Sequence, residues 1–167
     1  MNTINCSCGN PNSCNCGCGC CKSCQFNPCA VTCGGGGPVA VDYAYIYNTA
    51  AQTVAADAEI TFSANGPLSG TITHTAGTAD ITIGNTGVYL VNVMVNTATE
   101  GRYTVFKNGT SVEGASFACD SGELILAAQT GDVITVVNTG NTEMALDAEG
   151  TAPEAVVNTE VTIRRIF

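Results

Sequence analysis

The amino-acid sequence predicts an all-β domain, an antiparallel sandwich or barrel, behind a cysteine-rich N-terminal tail. Three observations carry this. From Val39 onward, short runs rich in β-branched and aromatic residues are separated by turn residues at the spacing of such folds. Within the runs, apolar residues alternate: Tyr89, Val91, Val93 and Val95 share one face of a strand, and Ile81 and Ile83 share another. No long helical stripe is present, so a βαβ unit has no place.

Residues 1–33 contain Asn, Ser, Gly, Pro and Cys with scarcely an apolar side chain. Such a segment cannot fold by burying surface and becomes ordered only through bonds or partners, so it reads as an N-terminal connector. The run Gly34, Gly35, Gly36, Gly37 with Pro38 favours neither helix nor strand and reads as a hinge over 34–38. The β domain then occupies 39–167.

In order, the expected strands are AYIYNT (44–49), EITFS (59–63), ITHT (72–75), DITIG (80–84), GVYLVNVMVNT (87–97), GRYTVFKN (101–108), TSVEGASFA (110–118), GELILAA (122–128), DVITVVN (132–138) and VVNTEVTIRRI (156–166). Asn108-Gly109 between two of them is the strongest hairpin signal, because both central positions of a type I′ turn need positive φ. Its overlap with a glycosylation sequon, Asn108-Gly-Thr110, is the weaker reading. Asn85-Thr86-Gly87 and Thr130-Gly131-Asp132 mark further reversals, and Asn65-Gly66-Pro67 is expected to interrupt the chain as a turn.

Composition excludes several functions. Five Lys or Arg stand against fourteen Asp or Glu, and the largest basic cluster is Arg164-Arg165, so nucleic acid is not an expected partner. The longest apolar run, Leu124 to Ala128, is too short to span a bilayer, and MNTINCSCGN has neither the positive nor the apolar region of a signal peptide. Catalysis is not expected. The single histidine, His74, has no neighbouring nucleophile and reads as a strand residue facing solvent or a subunit interface. The pairs Asp147/Glu149 and Asp120/Glu123 lack the carboxylate density of a calcium loop and read as solvated charges, so no cofactor is expected.

Ten of the eleven cysteines lie in the connector: Cys6, Cys8, Cys14, Cys16, Cys18, Cys20, Cys21, Cys24, Cys29 and Cys33. The Cys-x-Cys steps in NCGCGCCKSC suit a thiolate cluster around soft metal ions, although only one Cys-x-x-Cys knuckle is present, at 21/24. Neighbours one residue apart make strained small-ring disulfides, which favours partners on other strands or other chains. Crosslinking is the preferred reading, with metal binding and a disordered tail with incidental thiols as the alternatives. Cys119 stands alone in SFACDSGE, either as a small buried hydrophobe or as a partner for a connector cysteine of a neighbouring subunit.

The body also resembles a known family. YIYNTAAQTVAADAEITF, TAGTADITIGNTGVYLVNVMVNT, RYTVFKNGTSVEGA, GELILAAQTGDVITVVN and VNTEVTIRRI are similar to the globular C-terminal domain of BclA-type spore surface proteins of Bacillus and its relatives. The resemblance covers roughly Tyr43 to Phe167. It implies a ten-stranded jelly roll like those of the tumour necrosis factor and complement families, forming homotrimers. The family's collagen-like stalk and proline-rich leader are replaced here by the cysteine connector, as in a subunit of an endospore appendage or exosporium fibre.

The resemblance thus implies a structural protein at the spore surface, made without a secretion signal and released by mother-cell lysis. Its partners would be copies of itself and spore coat or exosporium proteins. Trimeric heads would bring three connectors together and make intermolecular disulfides easy to form. Tyr43, Tyr45 and Tyr47, on one face of the first strand, are candidates for the trimer interface, with an aromatic ladder on the inner face as the alternative. One of Arg164 and Arg165 could form an intersubunit ion pair. A trimeric adhesin or lectin-like module is the other class of function that the implied fold allows.

Overall fold

A computed structural model of the chain describes residues 41–97, 101–118, 120–149 and 155–167. The chain divides into two units, Met1–Val39 and Ala40–Phe167. The connector, the hinge and Cys119 lie outside the described residues.

The second unit is all-β and antiparallel. One sheet has the order β3 (Ala64–Ser69), β1 (Tyr43–Asn48), β12 (Thr159–Arg165), β6 (Gly87–Val95), β9 (Asp120–Ala128). The other runs β4 (Thr73–His74), β5 (Ile81–Thr82), β10 (Val133–Asn138), β7 (Arg102–Lys107), β8 (Thr110–Ala118). These ten strands form the jelly-roll sandwich, and β2 (Gln52–Val54) with β11 (Met144–Leu146) adds a two-stranded ribbon.

The core lies between the sheets and keeps the period-two pattern. Tyr89, Val91, Val93 and Val95 of β6 are fully buried, facing Ile134 and Val136 of β10 and Tyr103 and Val105 of β7 across the sandwich. Each such side chain contributes roughly 1.5–3 kcal/mol through burial. Tyr103 spans the core and donates its hydroxyl to the Val93 carbonyl at 3.0 Å, so its polar tip is satisfied in an apolar setting. The Asn108-Gly109 turn has φ of 51° and 73°, as a type I′ hairpin requires, and closes β7 onto β8 through Lys107↔Thr110.

The structure corrects three expectations. EITFS is not a strand: Glu59 and Phe62 make only isolated bridges, to Val137 and Thr78, while Ile60 and Phe62 bury their side chains in the core. Local β-propensity there satisfies packing rather than a ladder. Asn65-Gly66-Pro67 is not a turn but the middle of β3, an edge strand, where a proline removes no ladder donor that a neighbour needs. The pairing of β1 with β3 slips between Ala44 and Ile46 at this point, and a Cβ at Gly66 would collide with the Tyr45 ring. Finally, β2, β3 and β11 are not predicted by the sequence, being short or carrying residues of low strand propensity.

Candidate assembly face and Asp42 clamp

Strand β1 positions the candidate site, because its two faces have opposite fates. Ala44 and Ile46 point into the core, whereas Tyr43, Tyr45 and Tyr47 stand on the outer face of the five-stranded sheet. The inner-face alternative for the tyrosines is therefore overturned. Their alternation with buried neighbours leaves them no route to the core.

The antiparallel registers extend this face into rows. Tyr43 is opposite Arg164, which is opposite Leu90, which is opposite Ile125; Tyr45, Thr162, Asn92 and Glu123 form the next row, and Tyr47, Glu160, Met94 and Ser121 the third. The Tyr45 and Tyr47 rings stack with centroids 5.3 Å apart, and the Tyr45 hydroxyl donates to Glu160 Oε2 at 2.7 Å. Burial, that hydrogen bond and the Glu160 charge push the Tyr45 phenol up to about 12. Tyr43 is 40% exposed and Ile125 67% exposed, while Leu90 and Met94 are half-buried. The face is thus an aromatic and aliphatic surface with few charges.

One residue before β1, the chain enters the domain through a feature that sequence reasoning missed. Asp42 is fully buried. Its Oδ1 accepts from the Thr71 amide at 2.8 Å and from the Thr71 hydroxyl at 3.3 Å, its Oδ2 accepts from Asn85 Nδ2 at 3.0 Å, and Arg165 lies 3.7 Å away. Burial alone would raise the Asp42 carboxyl. The bonds from Asn85 and Thr71, aided by the Arg165 charge, outweigh it and hold the group below the ordinary carboxylate value.

Arg165 also donates to the carbonyls of Thr86 and Phe167, and its backbone amide donates to the Asp42 carbonyl at 2.8 Å. Gly70, with φ of 78°, lies so close that any side chain there would collide with Asp42. The start of the described chain is therefore clamped at Asp42 to the last strand and to two loops.

The remaining candidates divide clearly. Arg165 pairs within its own chain, through Asp42, while Arg164 is exposed on the outer face. His74 is a structural residue: Nδ1 lies 2.5 Å from Asn65 Oδ1, Nε2 lies 3.1 Å from the Thr78 carbonyl, and the ring meets Phe62 edge-on. Asp147, Glu149, Asp120 and Glu123 are all exposed. Among the described residues, no group of three or more His, Cys, Asp or Glu gathers to hold a metal. Nor is any helix there long and apolar enough to cross a membrane.

No family model matches the sequence, and no curated protein matches it. Among solved structures, the chain is similar to the Eiger tumour necrosis factor of S. frugiperda, with a TM-score of 0.54 and 15% identity over 77% of this chain and 94% of that one. It is also similar to the globular domain of zebrafish complement 1qA, with a TM-score of 0.50 and 13% identity over 75% of this chain and 98% of that one. At these identities the likeness is one of fold, and the fold is the jelly roll that the resemblance implied.

Proposed function

We propose that the chain is a structural subunit of a spore surface fibre or layer. Its heads self-associate as trimers through the outer face of the β3-β1-β12-β6-β9 sheet, and its connectors join or anchor those trimers by disulfides. The observation that carries the reading is that face: Tyr43, Tyr45, Tyr47, Leu90, Met94 and Ile125 form an apolar surface on the sheet, of the kind that marks a protein contact. The β12–β1 pair that carries part of this face is also held by the clamp of Arg165 on Asp42, the residue just before β1.

The spore setting rests on the sequence resemblance and on the connector cysteines. Each crosslink would form from two thiols giving one disulfide, with two electrons and two protons passed to molecular oxygen, which the protein would meet once the mother cell lyses. A join of this kind resists heat and denaturant in a way that a tail with few apolar side chains cannot achieve otherwise.

Two measurements test the two halves of the proposal. The full chain in strong reductant is expected to run as a trimer by light scattering; a monomer at micromolar concentration would overturn the self-association. After oxidation in air, a ladder that survives hot detergent and collapses on reduction is expected, and replacement of the ten connector cysteines by serine should abolish it. A ladder unchanged by that replacement would overturn the crosslinking role.

A further inference from the structure

The turn that joins β7 to β8 and the turn that joins β9 to β10 hold each other. Asn108 and Gly109 form the first, and Gly131, with φ of 90°, bends the second. The Asn108 backbone amide donates to the Val133 carbonyl, its Oδ1 accepts from the Val133 amide, and its Nδ2 donates to Asp132 Oδ1, each at 2.8 Å. Asp132 Oδ2 in turn accepts from the Gln129 amide at 2.8 Å, and Lys107 Nζ lies 3.8 Å from that oxygen. The bonds from Gln129 and Asn108, ahead of the Lys107 charge, hold the Asp132 carboxyl below the ordinary carboxylate value, so it is a charged acceptor in neutral solution.

Asparagine followed by glycine is also a pairing prone to spontaneous chemistry, because glycine has no side chain to cover its nitrogen. The Gly109 nitrogen attacks Asn108 Cγ and gives up its proton, the Cγ–Nδ2 bond breaks, ammonia leaves and a succinimide ring closes. Water then opens the ring at either carbonyl and leaves aspartate or isoaspartate. The sum is amide plus water giving acid plus ammonia, with no oxidant or reductant. Asn108 and Gly109 are both exposed, so water reaches them. No atom lies within 4 Å of the place a Cβ would take at Gly109, so crowding does not block the attack there. The shield is the bonding of the amide itself: Cγ can swing over the Gly109 nitrogen only by breaking the bonds that residues 132 and 133 make to Nδ2 and Oδ1.

We propose that Asn108-Gly109 is a latent site of spontaneous deamidation, shielded in the closed fold by Asp132 and Val133 and released when the two turns part. Its rate follows the population of that local opening. Once formed, the product does not restore the lock. Conversion of Asn108 to aspartate sets a carboxylate oxygen where the amide nitrogen stood 2.8 Å from Asp132 Oδ1, and the two like charges repel, with Lys107 offsetting only part of it. Conversion to isoaspartate adds a carbon to the main chain of a turn that closes through Lys107↔Thr110 with two residues between. Each opening that reacts is therefore kept as a permanent change in the head. This inference is independent of how the heads assemble.

Peptide mapping by mass spectrometry tests it on the full chain in strong reductant, held in mildly alkaline buffer. Folded wild type is expected to deamidate at Asn108 roughly tenfold or more slowly than the same chain unfolded in urea. Asp132→Ala removes the acceptor of Nδ2 and leaves the Val133 bond, so it should speed the reaction roughly fivefold, the worth of one ordinary hydrogen bond. Circular dichroism shows whether that variant stays folded. Folded wild type that reacts as fast as the unfolded chain, or a folded D132A that reacts no faster than wild type, would overturn the shield. A second variant serves even if D132A does not fold. Asn108→Asp imitates one product and should lower the urea midpoint in neutral solution, and N108D/D132N, which keeps one carboxylate of the two, should recover most of that loss. An N108D midpoint equal to that of wild type would overturn the claim that the reaction breaks the lock.

Discussion

The two ends of the β1–β12 ladder bury polar groups by opposite chemistry. At the Asp42 end, the buried group is a carboxylate, which sits among Thr71, Asn85 and Arg165. At the far end, about 20 Å along β1, the buried groups are neutral amides. There Asn48 Nδ2 donates to Asn158 Oδ1 at 2.9 Å and to the Ala50 carbonyl at 2.7 Å, and Asn158 Nδ2 donates to the carbonyls of Ala50 and Asp147 at 3.0 Å each. Both arrangements satisfy groups that would otherwise be costly to bury. They differ in their response to pH and in the cost of losing one member, because a charge left without its partners is far more costly than an amide.

The largest expected effect comes from breaking the charged end. Asp42→Ala removes the acceptor of three hydrogen bonds and leaves Arg165 without its carboxylate, so the domain should lose about 3 kcal/mol, the low end for a broken buried pair because Arg165 keeps some solvent. Urea unfolding of the reduced protein measures it. A loss below about 1 kcal/mol, the net worth of a single ordinary hydrogen bond, would show that the clamp contributes little.

The second prediction sharpens the contrast through pH. The Asp42 carboxyl is lower in the folded protein than its unfolded value of about 3.9, so its contribution is fully present above that value and is lost as pH falls through the folded one. Stability should therefore drop below about pH 4. Asp42→Asn should flatten that acid limb in part, since Asp132, lowered mainly by the bond from the Gln129 amide, titrates in the same direction. An acid limb identical in the variant would remove Asp42 from the account.

The smallest effect belongs to the neutral end. Asn158→Ala leaves the Ala50 and Asp147 carbonyls and the Asn48 amide short of a partner and should cost about 1–2 kcal/mol. The same cost should appear in mildly acidic and in neutral solution, because no proton is involved. A cost that changes with pH would mean that the two ends are coupled along the ladder.

These ends also mark where reading the sequence stops. The buried stripe of β6, the Ile81/Ile83 pair and the Asn108-Gly109 hairpin were legible because each is a local property: alternation along one strand, or the φ demanded at two adjacent positions. The outward placement of the tyrosines was half legible. Their shared face comes from period two, but which face is buried depends on what packs beneath it.

Asp42 was not legible. A lone acid before a strand reads as a solvated charge, and its partners stand at 71, 85 and 165. Likewise Asn65-Gly66-Pro67 carries every local mark of a turn, yet forms an edge strand because the Tyr45 ring covers a glycine that offers no Cβ.

By itself, then, the amino-acid sequence determined the all-β class, most of the strands, the tightest hairpin and the segregation of ten of the eleven cysteines into the first 33 residues. Those are consequences of composition and of short-range periodicity, which each segment carries without reference to the rest. Tertiary structure alone decided the sheet order, the clamp around Asp42 and the rows that set Tyr43 beside Arg164 on the outer face and Ile125 near Glu123 on its β9 edge. These depend on register between strands far apart in the chain, and register is chosen by the summed packing of both sheets rather than by any one segment.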